Sequence, residues 1–205
     1  TEYGIKGISS SSESIAVARN LLLAKEVDAR IHFCHLSTKE SVSLIKLGKE
    51  MGIKVSAEVT PHHLYFSDLD VIPFETVYKV NPPLRDTEDR KTLKAALLSG
   101  VIDVVATDHA PHTKEEKAKT LSEAPFGISS IEIAASIVNT CFLDTHLLYE
   151  ALCYKPYQIL GEKNDLEPGD LADVAVFDPN RKYTVSADNW VSKGTNSPYF
   201  GKTLQ

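Results

Sequence analysis

Residues 101–112 read VIDVVATDHAPH, and the fold turns on what this stretch is. A β-branched run, Val104, Val105 and Thr107, ends abruptly in Asp108, His109 and His112. β-branched side chains favour strands, so a buried strand is expected to deliver a carboxylate and two imidazoles to one point at its C-terminal end. Those groups suit a metal-assisted hydrolysis, whereas the plain alternative is a loop-capping Asp with surface histidines. An isolated Asp-His pair does not separate the two, so the rest of the chain decides.

Upstream the same pattern recurs. Residues 29–35, ARIHFCH, alternate as a strand with Ile31, Phe33 and His35 on one face. An amphipathic helix precedes it, with the Ser10–Glu13 spacing of a capping box and Ile15, Ala18, Leu22 and Leu23 at helical intervals. A second box, Ser37–Glu40, opens the next helix, which Gly52 closes. Residues 53–58 then read as a strand flowing into TPHH, and 76–80 as a short strand flowing into NPPLR. Asp86 caps a helix ending at Gly100, and 102–107 is the fourth strand. Strands alternating with helices imply parallel pairing through crossovers.

His35, then His62 and His63, then Asn81 and Arg85, then Asp108 and His112 all fall at strand C-terminal ends. That is the active face of a TIM barrel. A doubly wound sheet gathers ligands only near its switch point, and neither GxGxxG nor GxxxxGK[ST] is present, so the barrel is the favoured reading. An eight-stranded barrel takes about 250 residues. The expectation is therefore an incomplete α/β (β/α)8 barrel, its C-terminal half, over residues 1–164.

Residues 112–127, HTKEEKAKTLSEAPFG, look too polar to pack and read as a surface loop or lid. Ser129 and Glu132 are spaced to box a helix running to about Asn139, and 144–160 is helical again. From 167 the run EPGDLADVAVFDP reads as turn, short apolar strand and turn. Residues 165–205 are expected to be part of a small β-sandwich unit.

Composition removes several functions. The 205 residues are 42% hydrophobic and 24% charged, which is ordinary for a folded domain. A net charge of -6 and the lack of a basic, aromatic-rich cluster argue against nucleic acid. No apolar run approaches the ~20 residues of a membrane span and the first residues carry no signal-peptide pattern, so no membrane partner and a cytoplasmic location are expected. Cys34, Cys141 and Cys153 lack CxxC spacing and suit reduced thiols, Cys34 reading as a packed small hydrophobe facing away from His35.

His35 and Asp108 are too few ligands for a catalytic zinc, which takes about three protein ligands and an open position. The residues themselves lead as far as a metal-dependent hydrolase. The ordered set FCHLSTKES, AEVTPHHL, KVNPPLR, ATDHAPH, APFG and GDLADVAVFDP closely resembles the dihydroorotases of the class I bacterial type, in the amidohydrolase superfamily. The resemblance implies interconversion of N-carbamoyl-L-aspartate and L-dihydroorotate in pyrimidine biosynthesis, with one or two zinc ions per complete subunit. It implies His35 as a zinc ligand, Asp108 as catalytic acid/base beside or on the metal, His112 as a contact to the substrate carboxylate, and Asn81, Phe126 and Gly127 as pocket residues. A homodimer or a complex with aspartate carbamoyltransferase stays open.

The family's HxH pair, bridging acidic residue and HCED histidine would precede Thr1, so this chain alone is expected neither to hold a binuclear centre nor to turn over. His62 and His63 have no ligand role in the resemblance and read as packing or hydrogen-bonding residues behind the site. His32 reads as a helix-facing histidine, and Glu58 as either a histidine-orienting or a solvated carboxylate. The rivals are a hydantoinase, dihydropyrimidinase or allantoinase, and a non-catalytic scaffold of the dihydroorotase type. His112 weighs against the ureide hydrolases, since a substrate carboxylate needs a donor partner and an uncharged cyclic ureide does not.

Overall fold

The computed structural model describes residues 7–71, 74–163 and 167–205. Helix α1, Ser10–Glu26, starts at Ser9, whose side chain accepts from Ser11 N. The expected Ser10–Glu13 box does not form, because the Glu13 carboxylate is used elsewhere: it accepts from the backbone N–H groups of Ser37 and Thr38, each at 3.1 Å. It thereby satisfies donors at the start of the next helix, which a helix N-terminus otherwise leaves unpaired. The buried face of α1 is Val17, Leu21 and Ala24, while Ile15, Leu22 and Leu23 stay exposed. Apolar spacing located the helix; packing partners chose its inner face.

Strand β1, Ile31–Phe33, leads to α2, Lys39–Glu50, capped by Thr38 rather than Ser37. Strand β2, Val55–Val59, and strand β3, Val104–Val105, complete a parallel sheet in the order β1-β2-β3. The register pairs His32 with Ser56 and Glu58 with Val104. Between β2 and β3 lie the short helix α3, Pro61–Tyr65, and helix α4, Thr87–Leu98. Asp86 caps α4 by accepting from Asp89 N, and Gly100 follows with φ 75, both as expected.

The expected strand at 76–80 is instead a 3-10 turn at Thr76–Tyr78. Apolar, β-branched residues there pack as a turn because β-propensity records fit to a half-buried sheet, and among the described residues no strand pairs with this segment.

Among the described residues the apolar side chains gather in two clusters. The first joins sheet to helices through Val17, Leu21, Phe33, Ile45, Val59 and Leu97. Gly48 permits the close approach of α2, since a Cβ there would lie 2.9 Å from Leu21 Cδ2. The second gathers Phe66, Tyr78, Ile137, Val185, Tyr199 and Leu204. Its members span much of the chain, so residues near the C-terminus close over the segment after β2.

The polar stretch 112–127 is more ordered than its composition suggests. A capping box of Thr113 and Glu116 starts α5, Lys114–Lys117. Lys117 is buried, its Nζ donating to the carbonyls of Thr76, Lys79 and Pro125 at 2.9–3.3 Å. Burial, with Lys79 nearby, pushes its ammonium down to about 8. Three carbonyl acceptors do for this lysine what water would do on the surface.

Downstream, a 3-10 turn at Ile131–Ile133 precedes α6, Ala134–Phe142. Glu132 caps no helix; its carboxylate accepts from Val191 N and Ser192 N. The expected 144–160 helix is α7, Thr145–Tyr149, one π-helical turn at Glu150–Tyr154, and α8, Lys155–Leu160. The short apolar strand expected within residues 167–179 is not formed, and Val174 and Val176 are exposed. Alternation specifies a strand only where a neighbour accepts its hydrogen bonds. β4, Tyr183–Thr184, pairs antiparallel with β5, Thr203–Leu204. The expected boundary between residues 164 and 165 lies outside the described residues.

Candidate active site at the carboxyl ends of the parallel strands

β1 stops at Phe33, and two residues later His35 adopts φ 41; β3 stops at Val105, and Asp108 adopts φ 45. Left-handed backbone at a non-glycine residue costs on the order of 1–3 kcal/mol and persists only where the surroundings impose it. The two residues singled out as ligand and proton carrier thus share the same uncommon conformation at the same edge of the sheet. Each is turned out of its strand's alternation.

Glu58 imposes it at His35. Its Oε1 accepts from His35 N at 3.2 Å, and its own carbonyl accepts from Leu36 N at 3.0 Å. Its Oε2 meets His32 Nε2 at 3.0 Å, and Ser56 Oγ meets His32 Nδ1 at 2.8 Å. Glu58 is therefore a histidine-orienting group. His32 is not helix-facing: Ile31 and Phe33 occupy the helix side, so alternation sends His32 to the opposite face with Ser56 and Glu58. Cys34 is exposed rather than a packed hydrophobe, its thiol within 4.8 Å of the His32 and Glu58 ligand atoms.

The electrostatics tie these groups to Asp108. Burial raises the Asp108 carboxyl above its ordinary value, the His35 imidazole opposes the rise, and the Glu58 charge adds to it. Burial, then the Glu58 carboxylate, then Asp108 push the Cys34 thiol up.

His35 and Asn81 line one cavity of about 270 Å³ with Cys34, Pro82 and Arg85. The Arg85 Nε donates to Ser37 Oγ at 3.1 Å. His63, buried on α3, supports this wall: Thr60 Oγ1 meets its Nδ1 at 2.8 Å, and its Nε2 donates to the Pro82 carbonyl at 3.1 Å. His62 beside it is buried, and neither ring nitrogen is hydrogen-bonded among the described residues. Both histidines serve packing or support rather than contact the cavity.

The remaining expected residues form a second group. His112 Nε2 donates to the Phe126 carbonyl at 2.9 Å, and its Nδ1 lies 3.5 Å from Glu116. Gly127, φ 148, sits so close that a Cβ would fall 2.9 Å from His112 Nε2 and 2.6 Å from Ala110 Cβ. Phe126 is half exposed under the Lys79 ammonium, 4.6 Å from its ring centre. A parallel bridge between His109 and Ile128 lays this segment alongside the continuation of β3, so Asp108 and Gly127 belong to neighbouring ends.

Asn196 was not foreseen. Buried, it accepts from His112 N at 2.7 Å and donates to the carbonyls of Ala110 and Gly127. No local pattern marks it, because every partner is distant in sequence.

For a metal, the site offers an imidazole at His35 and a carboxylate at Asp108, both donor types that zinc takes. The chain matches the amidohydrolase family over residues 4–201. It is 44% identical over 210 residues to a dihydroorotase of Caldanaerobacter subterraneus subsp. tengcongensis, covering 100% of this chain and 49% of that one. A dihydroorotase of Ligilactobacillus salivarius is also 44% identical, over 99% of this chain and 49% of its own length. Among solved structures, an L-hydantoinase (dihydropyrimidinase) from Arthrobacter aurescens superposes with a TM-score of 0.85 at 30% identity, over 94% of this chain and 45% of that one. The chain spans about half the length of the curated relatives it matches. It belongs to the amidohydrolase family.

Proposed function

We propose that this chain supplies part of the active site of a dihydroorotase, which interconverts N-carbamoyl-L-aspartate and L-dihydroorotate. The observation that carries the reading is the common left-handed conformation of His35 and Asp108 just past the carboxyl ends of β1 and β3, which flank β2, next to the His112–Phe126–Gly127 group. The 44% identity to dihydroorotases supports the substrate class. In this reading the parallel β1-β2-β3 sheet is part of a (β/α)8 barrel, residues 1–164, and 165–205 contribute to a small β-sandwich unit.

His35 and Asp108 fit zinc by donor type, and they would hold one or two ions together with further ligands. The chemistry zinc supplies there is Lewis-acid polarisation of the amide carbonyl and acidification of water. Asp108 accepts the proton of the attacking water at its carboxylate and delivers it to the departing ring nitrogen; in the cyclising direction the same oxygen returns it. His112 faces the substrate carboxylate with Nδ1, the ring nitrogen that lies 3.5 Å from Glu116, while Nε2 keeps its bond to Phe126. Asn81 contributes a side-chain amide from the cavity wall, and Phe126 and Gly127 shape the other side.

The test uses a complete chain containing these 205 residues. It should turn over dihydroorotate in preference to dihydrouracil or hydantoin, and Asp108→Asn should lower kcat at least ~10²-fold with little change in stability. His112→Ala should cost dihydroorotate ~1.5–3 kcal/mol in kcat/KM and dihydrouracil much less. A preference for dihydrouracil would assign the site to a ureide hydrolase. Undiminished turnover by folded Asp108→Asn would end the proton-transfer role.

A further inference from the structure

Strand geometry brings together a second set of donors that the reaction above does not use. On β1 the two-residue repeat puts His32 and Cys34 on one face, and on β2 it puts Ser56 and Glu58 on the matching face. The register opposes His32 to Ser56, so two residues further on Cys34 comes beside Glu58. An imidazole nitrogen, a thiol sulfur and a carboxylate oxygen consequently lie within 4.8 Å of one another.

We propose that His32, Cys34 and Glu58 bind a borderline-soft divalent cation such as zinc, cobalt(II) or cadmium, at a site separate from His35 and Asp108. Ligand atoms of a tetrahedral site, about 2.0–2.3 Å from the ion, stand roughly 3.3–3.7 Å apart. The observed spacing needs only side-chain rotation to reach that range. His32 is already oriented as a ligand: Ser56 holds its Nδ1 at 2.8 Å, leaving Nε2 directed at the cluster. The Ser56 hydroxyl both donates and accepts, so it serves either tautomer and the imidazole proton can sit on Nδ1 when Nε2 turns to an ion. Glu58 keeps one oxygen on the His35 backbone and has the other for the cation. Three protein ligands leave the fourth position of a tetrahedral site for water. The Cys34 thiol proton goes to solvent on binding, and the cation's charge compensates the thiolate beside Glu58.

The experiment is a cobalt(II) titration of the reduced 205-residue chain, followed by thiolate-to-cobalt charge-transfer absorption. One equivalent should saturate the band. Cys34→Ser should abolish it, and His32→Gln and Glu58→Gln should weaken binding at least ~10-fold. Cys141→Ser, Cys153→Ser, His35→Ala and Asp108→Asn should keep it. Circular dichroism checks that each variant is folded. A measurement on the unaltered chain guards against misfolded variants: zinc should slow alkylation of Cys34 and leave Cys153, also exposed, unaffected. A band that survives in Cys34→Ser, one lost equally in His35→Ala, or zinc that fails to protect Cys34 would each overturn the proposal.

Discussion

His63 Nε2 donates to the Pro82 carbonyl at 3.1 Å, tying α3 at the end of β2 to the loop that presents Asn81. The carbonyl acceptor places the ring proton on Nε2, so Nδ1 accepts from Thr60 Oγ1 at 2.8 Å. His63→Ala removes both bonds, strands buried polar partners and opens a cavity. It should lower stability by ~2–4 kcal/mol, read as a shift in the urea midpoint.

Acid should unfold the protein through the same pair. Burial holds His63 down to about 4 and His62 well below its ordinary 6.5. Their folded affinity for protons is below that of the unfolded chain, so falling pH favours unfolding once the unfolded histidines begin to protonate. The His63 contribution is full above about pH 6.5 and declines as pH drops toward about 4, and that of His62 falls in the same direction. At pH 5 the His63 share should be roughly 2 kcal/mol. Urea midpoints at pH 7 and pH 5 measure the loss.

His62 makes a separate case, since among the described residues neither ring nitrogen has a partner although the side chain is fully buried. Exchanging an unsatisfied buried polar group for an apolar one of similar size is neutral to stabilising. His62→Leu should therefore hold or raise the melting temperature at pH 7. It should also flatten the acid-side decline, and an unchanged pH slope would show that His62 does not take part in it.

Gly127→Ala should be costly. Its Cβ would meet Ala110 Cβ at 2.6 Å, the Ala110 carbonyl at 2.9 Å and His112 Nε2 at 2.9 Å, and φ 148 is unfavourable for any side chain. A backbone carbonyl on a packed bridge cannot retreat, so His112 must move or the segment must unpack. A loss of at least ~1–3 kcal/mol is expected in thermal unfolding, with His112 displaced from Phe126 in its imidazole NMR signals.

Much of the scaffold is legible locally. Asp86 and Gly100 bracket their helix because an N-cap side chain and a left-handed glycine act within a turn of the residues they serve. The same holds for the strands that lead to His35, His62 and Asp108. Capping boxes were less reliable. Glu13 and Glu132 have the spacing of box residues, yet both carboxylates serve backbone donors from distant segments. A carboxylate pairs with whichever N–H groups folding brings near it.

The chain's order of residue types by itself determined that apolar strands end in polar groups, which residues stand at those ends, and to which family the motifs belong. Only the tertiary structure decided which face of β1 meets the helices, so that His32 and Cys34 turn toward Glu58 and not toward the core. It also decided that 76–80 is a turn, and that Asn196 fastens His112 to Gly127. The physical reason is range. Alternation and capping act between residues a few positions apart, whereas the choice of inner face, strand partner and buried hydrogen bond depends on surfaces that meet only once the chain has folded.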